Sequence, residues 1–261
     1  MHSVKGPPRR TPGSGPIAPL LAGVICSIAI VAAATNAAGE AGGHVRGTAR
    51  HAELRRDTAA PVAPRIIVQG SSFGAVACAS CHGLDGPGGG RGAFPRLAGS
   101  SEQYLRKQLQ DYRADRRRNA IMQPIARAMT TTELEDAVRW YAAARPPVTM
   151  WDEGATTAAI ARGARLARDG EWSRKLPACS SCHGSRGEGV PPNFPGLRGQ
   201  SPTYVEAQLV AFRQGWRAND SLGLMRAVAH RTKPGDGRAV GQYFASLERM
   251  ALSRPVAGST P

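Results

Sequence analysis

Two short motifs contain the residues of this sequence that are best suited to chemistry. Both read C-x-x-C-H, and together they comprise Cys78, Cys81, His82, Cys179, Cys182 and His183. Two thiols at this spacing can form thioether bonds with the vinyl groups of one haem, and the adjacent histidine can bind its iron through a ring nitrogen. The motifs therefore predict two covalently attached haem c groups, each with a histidine as one iron ligand.

Other uses of a C-x-x-C pair fit this sequence less well. A thioredoxin-like dithiol needs a βαβ context, and the sequence pattern offers none. A zinc site could combine two such pairs, but here the pairs lie in different halves of the chain and each has its own histidine. Haem is therefore the favoured interpretation, and a red purified protein would exclude zinc.

The two motifs belong to an internal repeat that extends over most of the chain. Each motif is followed by a glycine-rich loop and then by an F-P-x-L-x-G segment, at residues 94–99 and 194–199. A helical pattern follows, with Ser101 and Ser201 placed to cap its first turn. A methionine segment and a last helix complete each copy, so the sequence predicts a tandem duplication of a small, all-helical unit.

The repeat also selects candidates for the second axial ligand of each iron. Methionine is a usual choice, and Met122 and Met225 occupy equivalent places in the segments M-x-x-I-A and M-x-x-V-A. Met129 and His230 are nearby rivals, but their counterparts in the other copy are a threonine and an alanine. A ligand should occur in both copies, which favours the first pair over the alternative that these methionines only pack in the core.

The ends of the chain have the composition of segments outside the folded domains. A basic leader and an apolar stretch predict that residues 1–38 are an export signal. The stretch is near the lower limit for a membrane span, so cleavage and anchoring in the inner membrane through residues 17–38 both stay open. Residues 39–64 are predicted to be a flexible tether, and residues 253–261 a disordered tail.

The formal net charge of +15 restricts the kinds of partner that the protein can attract. Such a charge suits an acidic protein, an anionic membrane surface or nucleic acid. Since no recognisable nucleic-acid module accompanies the basic residues, we expect no nucleic-acid partner. An acidic redox protein is the favoured partner.

The haem motifs, the F-P-x-L loops, the Y-x-x-x-Q-L-like helices and the methionine segments resemble those of tandem dihaem cytochromes c of the cytochrome c-four type. The resemblance covers about residues 66–250. It implies an all-α fold of two tandem class I cytochrome c domains, each wrapped around one covalent haem. The expected domains are residues 65–147 and 148–252.

The resemblance also implies roles for individual residues. It pairs histidine with methionine at each iron, namely His82 with Met122 and His183 with Met225. It implies that the carbonyls of Pro95 and Pro195 accept hydrogen bonds from the ligand histidines, which would fix the orientation of the rings.

The same resemblance implies places for two further pairs of side chains, and the sequence departs from the family at one point. Arg117 and Arg217 align with an arginine that lies near the haem propionates, with plain surface charge as an equal alternative. Tyr104 and Tyr204 are expected to pack against haem. The family usually begins with a full helix, but residues 65–77 have a poor helical pattern and two glycines.

Methionine ligation would fill the sixth position of both irons, so the predicted function is single-electron transfer and not catalysis. The resemblance implies a periplasmic carrier that takes electrons from a quinol-oxidising complex or a dehydrogenase and passes them toward a terminal oxidase. The alternative is the cytochrome subunit of a periplasmic dehydrogenase that oxidises sulfur compounds or alcohols. A dihaem peroxidase is a further alternative, which would require one haem to lose its sixth ligand.

Overall fold

A computed structural model describes residues 61–145, 151 and 154–252 of the chain. This part is helical, with four isolated β-bridges and no strand among the described residues, so the predicted all-α class is confirmed. The helices are α1 (Arg65–Val68), α2 (Ala79–His82), α3 (Glu102–Arg113), α4 (Met122–Ala128), α5 (Thr131–Ala143), α6 (Thr157–Arg168), α7 (Ser180–His183), α8 (Pro202–Arg213), α9 (Leu224–Arg231) and α10 (Asp236–Leu252).

Side-chain caps fix where the central helix of each repeat begins. The hydroxyl of Ser101 accepts a hydrogen bond from the backbone N–H of Tyr104, and Ser201 does the same for Tyr204. Each cap satisfies an N–H group that has no partner within the helix. The predicted starts of α3 and α8 are therefore confirmed.

Each repeat has its own hydrophobic core. In the first, the core includes Leu105 from α3 together with Leu134, Val138 and Tyr141 from α5. In the second, Phe244 of α10 is fully buried, and Leu166, Leu176, Val240, Tyr243 and Leu247 pack around it. In each repeat the last helix thus supplies more buried core residues than any other element.

The two repeats differ most at their starts. The first begins with the single turn of α1, in which Ile66 and Ile67 are buried, whereas the second begins with the twelve-residue helix α6. The poor helical pattern of residues 65–77 indicated that the first repeat lacks a full N-terminal helix, and the structure confirms this. In this part of the first repeat, a positive φ of 88° at Gly70 turns the chain back after α1.

A buried carboxylate joins the start of the second repeat to its last helix. Asp236 is 1% exposed and accepts hydrogen bonds from Arg162 of α6, from Arg174 and from the backbone N–H of Lys233. Burial alone would raise the pKa of Asp236, but these three donors together lower it. The charged form is therefore the stable one in the folded protein.

We expect Asp236→Asn to destabilise the protein by about 3 kcal/mol, because two arginines lose their buried partner. The lowered pKa of Asp236 means that its contribution is fully present above the pKa of an unfolded aspartate and is lost as the pH falls through the folded value. Denaturant unfolding at several acidic pH values would measure both effects. If Asp236→Asn has the same acid dependence of stability as the wild type, the carboxylate does not have this role.

The described parts of both repeats belong to one compact unit. An antiparallel bridge pairs Arg117 with Arg217, supported by hydrogen bonds from Arg118 N to Trp216 O and from Ala218 N to Arg116 O. The hydroxyl of Ser201 also donates to the carbonyl of Gly92 in the first repeat at 2.7 Å. The domains therefore contact each other through backbone as well as side chains.

Several predictions fall outside the described residues. These are the signal or anchor at residues 1–38, all of the tether at 39–64 except its last four residues, and the tail at 253–261. Within the described ranges, no helix combines the length and hydropathy that crossing a membrane requires.

Candidate functional site

Each C-x-x-C-H motif forms one short helix whose histidine is held in a defined orientation. Nδ1 of His82 lies 3.0 Å from the carbonyl oxygen of Pro95, and Nδ1 of His183 lies 2.8 Å from that of Pro195. A carbonyl oxygen can only accept, so Nδ1 donates and Nε2 is left with its lone pair for a metal. The hydrogen bonds expected for the two prolines are confirmed.

The electrostatics of both histidines suit a metal ligand. Burial lowers the pKa of His82 and of His183, and the hydrogen bonds to the proline carbonyls only partly oppose this effect. Phe94 and Phe194 add edge-on ring contacts, with centroids 6.3 and 6.1 Å from those of the histidines. Each imidazole is therefore neutral at neutral pH, as iron binding requires.

Glycines let the loop after each motif pass close to the last helix. A Cβ atom at Gly86 would lie 2.6 Å from the Tyr141 ring, and one at Gly187 would lie 2.5 Å from the Phe244 ring. The carbonyl of each of these glycines accepts two backbone N–H groups from the F-P-x-L segment of its own repeat. These contacts bring the proline carbonyls to the histidines.

The first thiol of each motif is not tuned for dithiol redox chemistry. Burial raises the pKa of the Cys78 thiol and of the Cys179 thiol to about 11 in each case. Redox-active C-x-x-C pairs have a thiol whose pKa is lowered, because the thiolate is the reactive form. The buried thiols therefore argue against the thioredoxin-like alternative and fit side chains that are covalently attached to a cofactor.

A cavity of about 820 Å³ runs through both domains beside the motifs. Its walls include the cysteines and histidines of both motifs, and Met122 and Met225, with aliphatic and aromatic side chains between them. The donor set and the apolar lining fit haem, which is large, apolar in its ring and ligated at two axial positions. The described residues include no cluster of acidic, histidine and cysteine side chains that could hold a metal ion by itself.

The candidate methionines and their rivals have different surroundings in the structure. Met122 and Met225 are half-buried on the cavity wall, at the start of α4 and of α9. Met129 touches the cavity too, but it is 6% exposed and packs in the first core with Leu134 and Val138. His230 is exposed and does not line this cavity. The geometry supports the pair chosen from the repeat.

The two arginines that align near the propionates are buried, so the alternative of plain surface charge is wrong. Arg117 donates to the Tyr204 hydroxyl at 2.7 Å and to Gln208 at 2.8 Å, both in the other domain. Arg217 donates to the Tyr104 hydroxyl at 3.0 Å. Both arginines are only 6–7% exposed and line the cavity where the domains meet.

Burial and these arginines shift the pKa of Tyr104 in opposite directions. Burial alone would raise the pKa of this phenol, but Arg217 and Arg117 lower it below its ordinary value. The tyrosines therefore serve the domain interface through their hydroxyls while their rings line the cavity. Only the packing role was predicted from the sequence.

Sequence reasoning missed several polar residues of the interface. Gln108 and Gln208 occupy equivalent positions in the repeat, which was a usable signal, and each accepts from both buried arginines. Asp111 and Asn219 are joined by a hydrogen bond of 2.8 Å across the interface. Alanine occupies the place of Asp111 in the second copy, so the repeat gave no signal for Asp111.

Comparison with protein families gives one match that covers both domains. The cytochrome c family matches residues 67–143 and again residues 160–244. These two ranges contain all four motif cysteines, both motif histidines and both candidate methionines.

Individual relatives agree with this match. The chain is 46% identical over 178 residues to the thiosulfate dehydrogenase electron acceptor of Stutzerimonas stutzeri, covering 68% of this chain and 82% of the relative. Among solved structures it is similar to a thiosulfate dehydrogenase from Marichromatium purpuratum, with a TM-score of 0.64, 37% identity and 70% of this chain covered. This chain spans 39% of that structure's chain.

A second solved structure is covered almost completely. Reduced cytochrome c4 from Pseudomonas stutzeri matches with a TM-score of 0.58 and 34% identity, over 64% of this chain and 91% of that one.

Proposed function

Since this chain belongs to the cytochrome c family and carries two covalently bound haem c groups, we propose that it accepts electrons from a thiosulfate dehydrogenase. The chain is an electron carrier of the cytochrome c4 type. The observation that favours this donor is the 46% identity to a protein whose name states that role, over 82% of its length. The structural similarity to a thiosulfate dehydrogenase chain supports the same choice.

The lining of the cavity supports the following proposed sites. Cys78 and Cys81 would hold one haem and Cys179 and Cys182 the other. The axial pairs would be His82 with Met122 and His183 with Met225, since all of these side chains line the cavity. When bound, each haem supplies one-electron redox chemistry at its iron.

The protein side chains have three tasks in this proposal. The proline carbonyls orient the two imidazoles and keep their second nitrogen free for iron. The apolar walls keep water from the ring, which favours the reduced, less charged state. Arg117 and Arg217 place two positive charges on the wall where the domains meet, in position to pair with propionates.

The remaining parts of the proposal concern organisation and location. Residues 65–147 and 148–252 form the two domains, preceded by an export signal or inner-membrane anchor that places them in the periplasm. With both axial positions filled, the chain transfers electrons and is not itself an enzyme. A terminal oxidase would be the acceptor, and a quinol-oxidising complex is the second candidate donor, because the relatives include cytochromes c4.

Stopped-flow mixing with a thiosulfate dehydrogenase would test the donor. We expect both haems to be reduced, at a rate that rises with protein concentration, only when the enzyme and thiosulfate are both present. Ascorbate gives the control, because it reduces an accessible haem without docking. Reduction by ascorbate together with no reduction by the enzyme would rule out this donor.

The salt dependence of the same reaction tests the expected charge complementarity. Because the chain is strongly basic, an acidic docking surface on the enzyme would accelerate encounter, and salt would screen it. We expect the rate with enzyme to fall several-fold between low and physiological ionic strength. A rate that does not depend on salt would contradict docking by charge.

A further inference from the structure

We propose that Arg113 and Arg213 are positioning residues, which hold the two methionine segments in place from outside the cavity. Each is the last residue of the central helix in its repeat, and neither lines the cavity formed by the described residues. Each side chain instead donates to the carbonyl end of the short helix that begins near the candidate methionine. The inference rests on the proposed ligation by Met122 and Met225.

In the first repeat the contact involves three carbonyl groups. Nε of Arg113 donates to the carbonyl of Ala126 at 2.7 Å. Its Nη2 donates to the carbonyl of Met129 at 2.5 Å and to that of Thr130 at 3.3 Å. The carbonyls of Ala126 and Met129 lie at the end of α4, the helix that begins with Met122, whereas Thr130 caps the start of α5.

In the second repeat the same contact recurs at equivalent residues. Nε of Arg213 donates to the carbonyl of Ala229 at 3.0 Å. Its Nη2 donates to the carbonyl of Thr232 at 3.0 Å and to the Thr232 hydroxyl at 2.6 Å. Both Ala126 and Ala229 are fully buried, so their carbonyls depend on partners within the protein.

The recurrence does not come from identical local sequence. The arginine and the alanine are 13 residues apart in the first repeat but 16 in the second, because the second has a longer loop before its methionine. The pattern of Nε to one carbonyl and Nη2 to the carbonyl three residues later is nevertheless the same. The contact with the methionine helix is therefore kept although the preceding loop differs in length between the repeats.

The opposite end of each helix has its own anchor. Asn119 Oδ1 accepts from the backbone N–H of Met122 at 2.8 Å. In the second repeat the Asp220 carboxylate accepts from the backbone N–H of Arg226 at 3.0 Å and from its Nε at 2.9 Å. Each methionine helix is thus held at both ends, with an arginine at the C-terminal end.

Short helices need such anchors. α4 has seven residues and α9 has eight, and helices of this length are not stable alone in water. The carbonyl groups of a last helical turn lack their usual N–H donors, and a guanidinium fork can satisfy two of them at once while matching the helix dipole. The Ala229 carbonyl also accepts from the N–H and the hydroxyl of Thr232, so Arg213 adds a third donor there. Without the arginine, the segment would leave the cavity wall more often, and the bond between the methionine sulfur and iron would break more often.

Cyanide binding to the oxidised holoprotein would test this role, because cyanide must first displace the methionine. We expect Arg213→Gln to speed cyanide binding at one of the two haems by about tenfold, the effect of losing one hydrogen bond to a charged group. Arg113→Gln should do the same at the other haem. Arg213→Lys keeps the charge but cannot bridge both carbonyls, so its rate should be intermediate.

A matched control comes from the first repeat. Arg106→Gln removes an ion pair between α3 and α5 without touching the methionine helix. It should leave the cyanide rate and the far-red methionine–iron band of the ferric protein unchanged. If Arg213 only stabilises the fold, Arg213→Gln will lower the denaturant midpoint but leave the cyanide rate in native buffer unchanged. That result would overturn the inference.

The outcomes also separate this inference from the proposed ligation. A wild-type protein without the methionine–iron band would refute the ligation itself. A wild type with the band, and an Arg213→Gln variant whose cyanide rate equals that of Arg106→Gln, would refute only the positioning role. If Arg213→Gln does not yield holoprotein, Arg213→Lys decides in the same way.

Discussion

Replacing Met122 by histidine is expected to lower the reduction potential of the first haem by on the order of hundreds of millivolts. Imidazole stabilises ferric iron more strongly than a thioether does, so the change of ligand favours the oxidised state. The potential of the second haem should stay close to its wild-type value. A spectroscopic redox titration of the holoprotein would measure both potentials together.

The same substitution at Met225 completes the assignment. Met225→His should shift the other potential, so the two variants identify which value belongs to which domain. The control is Met129→Leu, which changes a buried core methionine of similar volume. If Met129→Leu removes the methionine band of one haem, or Met122→His leaves both potentials unchanged, Met122 is not the ligand.

A second large effect is expected where helices α6 and α10 touch without a side chain between them. A Cβ atom at Gly163 would lie 2.0 Å from the carbonyl oxygen of Ala239 and 2.5 Å from its carbonyl carbon. Both are backbone atoms, so only a shift of a whole helix could relieve the overlap. We expect Gly163→Val to destabilise the protein by about 3 kcal/mol, although valine has the higher intrinsic helix propensity.

The matched control for this variant lies two residues earlier on the same helix. Ala161 is exposed, so Ala161→Val adds bulk without a contact and should cost about 0.5 kcal/mol. Denaturant unfolding of both variants, followed by far-UV circular dichroism, would give the comparison. Equal unfolding free energies for the two variants would show that the helices do not pack this closely.

The sequence was sufficient where a residue acts through its near neighbours in the chain. The helix caps at Ser101 and Ser201 depend on an N–H group three residues away, and both were predicted. The cysteines and histidines of the motifs also act within one short turn. Comparison of the repeats then extended this local information to the prediction that Met122 and Met225 are ligands, which the Met122→His and Met225→His variants would test.

The sequence was insufficient where the partner lies far along the chain. Nothing local distinguishes Arg117 from its exposed neighbours Arg116 and Arg118, because its burial depends on Tyr204 and Gln208 in the other domain. The two arginine partners of Asp236 are likewise 62 and 74 residues away. Contacts of this kind depend on how the helices pack, which a periodic pattern does not specify.

The crossed arrangement of Arg117 and Arg217 has a consequence for how a two-domain chain of this kind could arise. Each half offers the other the same set of groups, an arginine, a tyrosine and a glutamine, so the contact is close to an isologous one. Isologous contacts are those that two identical molecules make about a two-fold axis. A single-domain ancestor with these three residues could therefore have formed a homodimer, and gene fusion would have made that dimer permanent. Asp111 would then be a later specialisation, since Asn219 has an identical counterpart in Asn119 but alanine takes the place of Asp111 in the second copy.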